Sequence, residues 1–243
     1  MPTLRLFQNM ALREKDEFEL TLDAAHYLGQ VRRAHEGDSV ILFNGQGGEY
    51  QAEISQMKKN HVRVRVGAFQ NVERESPLNL ELAQGIARGE KMDLIVQKAV
   101  ELGVKKIIPL LTERSNVKLD EEKKLKRQQH WQQVAISACE QCGRNRVPEI
   151  STPLILEEWL PQFDGFGVLL SPEGQSSAAE LKLSRELPTT LLIGPEGGFS
   201  DKERSLIHNN RFSSLRLGSR ILRTETASLA TISLLQGLYG DLV

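Results

Sequence analysis

The sequence predicts an α/β protein in two parts, a small β-barrel module followed by a larger domain built on a parallel sheet. Three observations carry that expectation. In roughly the first 70 residues, short runs alternate apolar and polar side chains, the period of strands with one wet face. After a polar, proline-containing stretch at residues 73–79, strand-like apolar runs alternate with segments whose apolar residues recur at helical spacing, the pattern of a parallel α/β layout. Finally, the apolar run Leu191-Leu192-Ile193 ends in Gly194-Pro195-Glu196-Gly197-Gly198 and feeds a helix, an arrangement that binds ligands beyond the carboxyl ends of sheet strands.

The β module is expected over residues 1–72, with strands at 17–22, 39–43, 48–54 and 61–66 and one short helix over 23–33. Val62, Val64 and Val66 alternate with His61, Arg63 and Arg65, so one face of that strand is buried and the other wet. The glycine-rich stretch 44–48 lies between strand-like runs and opens no helix, and is read as a hairpin loop. The stretch at 73–79 has the composition of a boundary, which places the second domain at 73–243.

In that domain a strand is predicted at 78–83. Met92, Ile95, Val96, Ala99 and Val100 then mark one face of a helix that Gly103 closes, and a strand follows at 105–111. A second helix carries Trp131, Val134, Ala135 and Ala138 and ends near Gly143. Strands are predicted at 167–170, 191–193 and 214–217, and a last helix over 226–239. Ser200 and Glu203 fit a reciprocal capping box at the start of the helix after the glycine turn.

That turn is either a purely structural bend or a cradle for a ligand. A phosphate loop would need GxxxxGK[ST], and Phe199-Ser200-Asp201 stands where its lysine and hydroxyl would fall. A dinucleotide fingerprint is also missing, and Glu196 would set a negative charge against a pyrophosphate. The ligand expected here is poor in phosphate.

With 243 residues, 40% hydrophobic and 26% charged, the chain can bury a sizeable core. Its formal net charge of −1 means that a nucleic-acid partner would be met by local patches rather than by a global basic field. Cys139 and Cys142 form a CxxC without a second pair or a nearby histidine, so they are read as structural and no metal site is expected. No apolar run approaches the roughly 20 residues that span a bilayer and no basic–apolar leader opens the chain, so no membrane partner and a cytoplasmic location are expected.

The residues Gly194-Pro195-Glu196-Gly197-Gly198-Phe199-Ser200, followed by Leu217-Gly218-Ser219-Arg220-Ile221-Leu222-Arg223-Thr224-Glu225-Thr226-Ala227, resemble the signature of the RsmE-type ribosomal RNA (uridine-N3) methyltransferases of the SPOUT superfamily. The resemblance continues through the blocks that begin at Lys91, Thr112 and Glu140 and so spans most of the chain. It implies a trefoil-knotted methyltransferase domain behind a PUA-like β-barrel, S-adenosyl-L-methionine as cofactor, and N3 of a uridine in small-subunit (16S) ribosomal RNA as target, within an assembled subunit. It also implies a homodimer, for which Leu229, Ile232, Leu235 and Leu238 of the last helix are either the interface or core.

On that resemblance the cofactor site is expected to comprise Leu170, Ile193, Gly194, Pro195, Glu196, Gly198, Leu217, Gly218, Ile221, Leu222 and Thr226. Arg223 is the expected catalytic donor, because a guanidinium stays charged and forks two hydrogen bonds to the ring oxygens that gain charge when N3 loses its proton. Glu225 is expected to position or deprotonate the base; alternatively Arg223 and Glu225 are an ordinary ion pair at a helix start. Arg5, Arg88, Arg114, Asn116, Gln141 and Arg144 are assigned to RNA contact; the other reading of Arg5 is a merely solvated arginine on the barrel, and that of the rest is a structural salt bridge. An RNA-binding assembly factor of the same fold without catalysis, or methylation of a different base, are the alternative functions, since fold similarity does not fix the chemistry.

Overall fold

A computed structural model describes residues 4–58, 61–115, 119–183 and 187–242, with the side chains of 30–32 excepted. The chain forms two compact units. One runs to Glu75 and takes in Cys139–Val147; the other comprises Ser76–Ala138 and the chain from Pro148 onward.

The first unit is built on β1 (Leu4–Phe7), β2 (Glu17–Glu19), β3 (Ser39–Phe43), β4 (Glu49–Lys58) and β5 (His61–Gln70). The strands lie in the order β1-β3-β4-β5-β2, with β1 parallel to β3 and the other pairs antiparallel. Val62, Val64 and Val66 are buried while His61, Arg63 and Arg65 are exposed, as the alternation predicts. They pack with Leu6, Leu42, Ile54 and Leu28 into one core. The helix expected over 23–33 divides: α1 (Leu22–His26), capped by Thr21, passes into a π-helical turn at Tyr27–Arg32 that ends at Arg33 with φ 51°. Gly29 lies inside that turn, where its weak helix propensity favours a departure from α geometry.

Arg5 sits at the centre of this unit's polar interior. Its Nη1 donates to Glu49 Oε2 at 2.6 Å, its Nη2 to Asn145 Oδ1 at 2.5 Å, and its guanidinium lies 5.0 Å from the centre of the Phe43 ring. Arg74 and Asn145 bond the same Glu49 oxygen. Burial pushes the Glu49 carboxyl upward, but the bonds from Arg5, Arg74 and Asn145 prevail and hold it below its ordinary value. Arg144 is likewise buried, with Nε 2.8 Å from Glu75 Oε1. The Cys139 thiol is buried and pushed up to about 12, which makes it an inert core group.

The second unit holds β6 (Leu80–Gly85), α2 (Glu90–Glu101), β7 (Lys106–Leu111), α3 (Glu121–Cys142, whose last turn counts with the first unit), β8 (Glu149–Ile150), β9 (Leu154–Ile155), α4 (Leu156–Trp159), β10 (Phe166–Leu170), β11 (Thr189–Ile193), α5 (Asp201–Asn209), β12 (Ser213–Leu215) and α6 (Thr224–Tyr239). The seven strands run in the order β12-β10-β11-β6-β7-β8, with β9 also on β7, and every ladder is parallel. β11 is buried along its whole length, as befits a central strand covered on both faces.

Strand β12 is bonded on two sides. On one side is β10, whose ladder Ser171 N extends by donating to Leu215 O at 2.9 Å; on the other is the segment that follows β10, where Ser176 N donates to Ser214 O and Arg216 N to Ser176 O at 3.1–3.2 Å. Gly174 permits this closeness, because a Cβ there would lie 2.6 Å from the Leu215 carbonyl. Helix α6 buries Ile232 and Leu235 completely, while Leu234 and Leu238 remain exposed.

Candidate active site

The carboxyl ends of β10 and β11 and the segment joining β12 to α6 enclose a cleft of about 490 Å³. Its floor is set by close backbone packing. A Cβ at Gly85, the last residue of β6, would lie 2.5 Å from Pro195 Cδ, so glycine lets the turn after β11 seat on β6. Gly198 adopts φ 65°, a left-handed conformation that favours glycine and lets the chain turn sharply into α5. The capping box is present: Glu203 N donates to Ser200 Oγ at 3.2 Å and Ser200 N to Glu203 Oε2 at 2.8 Å. The other oxygen of buried Glu203 accepts from Glu113 N, tying the end of β7 to the same helix start.

Behind the cleft a buried polar network fixes α6 to the glycine turn. Gln84 Nε2 donates to Thr224 Oγ1 at 3.0 Å, and Thr224 Oγ1 donates to Gly194 O at 2.7 Å. Ser228 Oγ donates to Gln84 Oε1 at 2.6 Å. Such a network in a low-dielectric interior rigidifies what it joins when its members are satisfied.

Of the residues assigned to a cofactor from sequence, Leu170, Ile193, Gly194, Pro195, Glu196, Gly198, Leu217, Gly218, Ile221 and Leu222 line the cleft. Thr226 does not; it points to solvent from the first turn of α6. Arg223 lines the cleft at the amino-terminal cap of α6, with Arg216 and Arg220 beside it. Glu225 is not among the lining residues. Its carboxylate lies 3.7 Å from Lys91 Nζ, so the ion pair at this helix start joins Glu225 to α2 instead of to Arg223. Lys91 does line the cleft and also reaches Glu196 Oε1 at 3.3 Å. Burial pushes the Glu196 carboxyl upward, but backbone amides, that of Arg88 among them, and Lys91 outweigh it and hold it below its ordinary value.

The RNA candidates separate into groups. Arg88 and Arg114 are exposed on the second unit, adjacent to the glycine turn: Arg88 N donates to Glu196 Oε1 at 3.2 Å and Arg114 Nη1 to Gly197 O at 3.4 Å. Gln141 is exposed at the end of α3. Asn116 lies outside the described residues. Arg5 and Arg144 depart from the expectation. Both guanidiniums are buried inside the first unit and held by Glu49, Asn145 and Glu75, so they are not presented to phosphate. Gln84, Lys91 and Ser228 belong to the site or its support without having been singled out by sequence reasoning.

Comparison with known proteins agrees with this architecture. Residues 74–236 match the RNA methyltransferase domain family, and residues 12–67 match the RNA methyltransferase PUA domain family. A ribosomal RNA small subunit methyltransferase E from Buchnera aphidicola of Schizaphis graminum is 35% identical over 98% of this chain and 97% of its own. The Bacillus subtilis protein of that name is 34% identical over 91% and 90%. The crystal structure of the Neisseria gonorrhoeae protein of that name, bound to S-adenosyl methionine, superposes with a TM-score of 0.92 at 32% identity, over 99% of this chain and 100% of the other. A Legionella pneumophila structure described as a methyltransferase with bound SAM also gives 0.92, at 40% identity over the whole of both chains. On matches of this extent, the chain belongs to the ribosomal RNA small subunit methyltransferase E family.

Proposed function

We propose that this chain transfers a methyl group from S-adenosyl-L-methionine to N3 of a uridine in small-subunit ribosomal RNA. The observation that carries the proposal is the cleft itself, formed where the glycine turn, the end of β10 and the segment before α6 converge. Its residues fit the cofactor. About 490 Å³ falls within the range of about 300–1,000 Å³ typical of small-molecule sites, and Ile193, Leu217 and Leu222 offer apolar walls for an adenine and a thioether. Gly194, Gly198 and Gly218 border the same space, where their lack of a side chain leaves backbone groups to meet a ligand's polar atoms. When bound, this cofactor supplies a methyl already activated on a sulfonium.

The protein's contribution is placement and charge. Arg223 lines the cleft with no carboxylate in ion-pair range among the described residues, so its guanidinium is available to the uracil oxygens that gain charge as N3 loses its proton. Glu225, set back from the cleft against Lys91, suits a positioning role better than direct proton removal. Arg88 and Arg114, beside the glycine turn, are the arginines with a geometry suited to guiding RNA to the cleft. The first unit, with its PUA-domain match, serves RNA attachment in this reading.

The bonding of β12 on two sides by β10 and the segment after it supports a threaded, trefoil-knotted chain here. Exposed Leu234 and Leu238 on α6, with Ile221 at the cleft mouth, supply apolar surface for a homodimer. No described helix is long and apolar enough to cross a membrane, and an assembled small subunit in the cytoplasm is the proposed setting for the reaction.

Arg223→Ala tests the catalytic assignment. The variant is expected to bind S-adenosyl-L-methionine as the parent does while methyl transfer falls by about a hundredfold to a thousandfold, the cost of losing one donor to a developing anion. Transfer at the parental rate would overturn the assignment.

A further inference from the structure

Lys91 lies in the first turn of α2, partly buried, with its ammonium between two carboxylates from different parts of the fold. Glu196 belongs to the glycine turn after β11 and lies 3.3 Å away; Glu225 belongs to the first turn of α6 and lies 3.7 Å away. Glu225 Oε2 is buried and has no hydrogen-bond partner among the described residues, so Lys91 is the charged group that faces it. Of the three, Lys91 and Glu196 line the cleft and Glu225 stands behind. Arg223 stands at the cap of the helix that bears Glu225, and the backbone amide of Arg88 bonds Glu196.

A lysine side chain alone is a compact charge on a flexible stem and holds a poorly defined position. Two carboxylates on separate, rigidly seated elements change that, because each fixes one direction of approach. A lysine ammonium has three donors and no acceptor, so two carboxylates leave donor capacity unspent. Arg204, Arg216, Arg220 and Arg223 line the same cleft and make it favourable to negative charge.

We propose that Lys91 is a second cationic donor of the methyl-transfer site, aimed by Glu196 and Glu225 at an anionic oxygen held in the cleft. The inference rests on the function proposed above. Two participants in that reaction carry such an oxygen: the carboxylate of the cofactor's methionine end, and a ring carbonyl of the uracil once N3 has given up its proton. Glu225 then acts through Lys91, as a positioning residue.

The test compares the parent with Lys91→Met, Lys91→Gln and Lys91→Arg. Calorimetry measures binding of S-adenosyl-L-methionine and of its decarboxylated analogue, and single-turnover transfer to small subunits lacking the modification is measured at saturating cofactor. Each neutral variant is expected to lose about tenfold or more in one quantity, the size of a charge-assisted hydrogen bond, and Lys91→Arg to recover much of it. If the cofactor carboxylate is the partner, S-adenosyl-L-methionine binds more weakly while the decarboxylated analogue binds parent and variant alike. If the uracil is the partner, both cofactors bind normally and the transfer rate falls. Neutral variants that match the parent in both assays would overturn the proposal, as would equal loss of both cofactors together with a lowered melting temperature. A parent protein that puts no methyl on uridine would instead refute the proposed function, while the calorimetric arm still decides whether Lys91 meets the cofactor.

Discussion

Thr224→Val probes the network that seats the glycine turn. Thr224 is buried; its hydroxyl accepts from Gln84 Nε2 at 3.0 Å and donates to Gly194 O at 2.7 Å. Valine fills nearly the same volume but turns a methyl toward both partners. Gln84 keeps one bond through Nε2, to Gly85 O at 2.9 Å, yet its second N–H is left facing an apolar group in a fully buried position. A buried donor without a partner costs about 1–3 kcal/mol and the lost bond to Gly194 about 1 kcal/mol more, so the expected destabilisation is roughly 2–4 kcal/mol. For a unit of this size, at about 2–4 °C per kcal/mol, that lowers the melting temperature by roughly 4–16 °C. The transition to follow is that of the second unit, since a chain with two units need not melt in one step. Calorimetric affinity for S-adenosyl-L-methionine should fall as well, because the turn bordering the cleft loses an anchor, and Thr224→Ser should restore both quantities. A valine variant that melts within about 1 °C of the parent and binds the cofactor equally well would refute this account of the network.

Arg5→Ala should destabilise the first unit by about 1.5–3 kcal/mol, the size of a hydrogen bond to a charged group, since Arg74 and Asn145 still bond the buried Glu49 carboxylate, as read from denaturant unfolding; loss of RNA binding with unchanged stability would show that Arg5 is a contact residue after all. Glu140 offers a test by pH: burial raises its carboxyl above the ordinary value of 4.5, against the opposing bond from Phe7 N and the charge of Arg5. A raised carboxyl contributes stability that is complete below its unfolded value and is lost as pH rises through the folded one, so Glu140→Gln should be the more stable protein at pH 7 and show a flatter melting-temperature profile across that window. Equal profiles would contradict the assignment.

The site was legible where chemistry and spacing are local. Leu191-Leu192-Ile193 with its glycine turn, the Ser200–Glu203 cap and the run to Arg223 lie within a short stretch, and strand, turn and helix rules read them directly. Lys91, Gln84 and Ser228 were not legible for the opposite reason. Gln84 and Ser228 are 144 residues apart, Lys91 and Glu196 are 105 apart, and an isolated polar residue in a strand or helix does not announce a partner that the sheet order alone brings to it. The same holds for Cys139–Val147, which a helix pattern assigns to the second domain but whose Arg144 and Asn145 bond with Glu75 and Glu49 in the first unit. The family resemblance makes Arg5 a phosphate-contact candidate, since the family's opening strand carries an arginine at the matching place; sequence carries no measure of burial, and a buried guanidinium looks like an exposed one until Glu49, Asn145 and Phe43 are found around it. The short strands β8 and β9 escaped notice for lack of length, since two residues establish no period.

The central claim is tested most directly by incubating the protein with methyl-labelled S-adenosyl-L-methionine and small ribosomal subunits lacking the modification, then digesting the RNA and identifying the labelled nucleoside. Label recovered as N3-methyluridine at a single position is the predicted result. Label in any other nucleoside, or cofactor binding with no transfer to subunits or naked RNA, would contradict it.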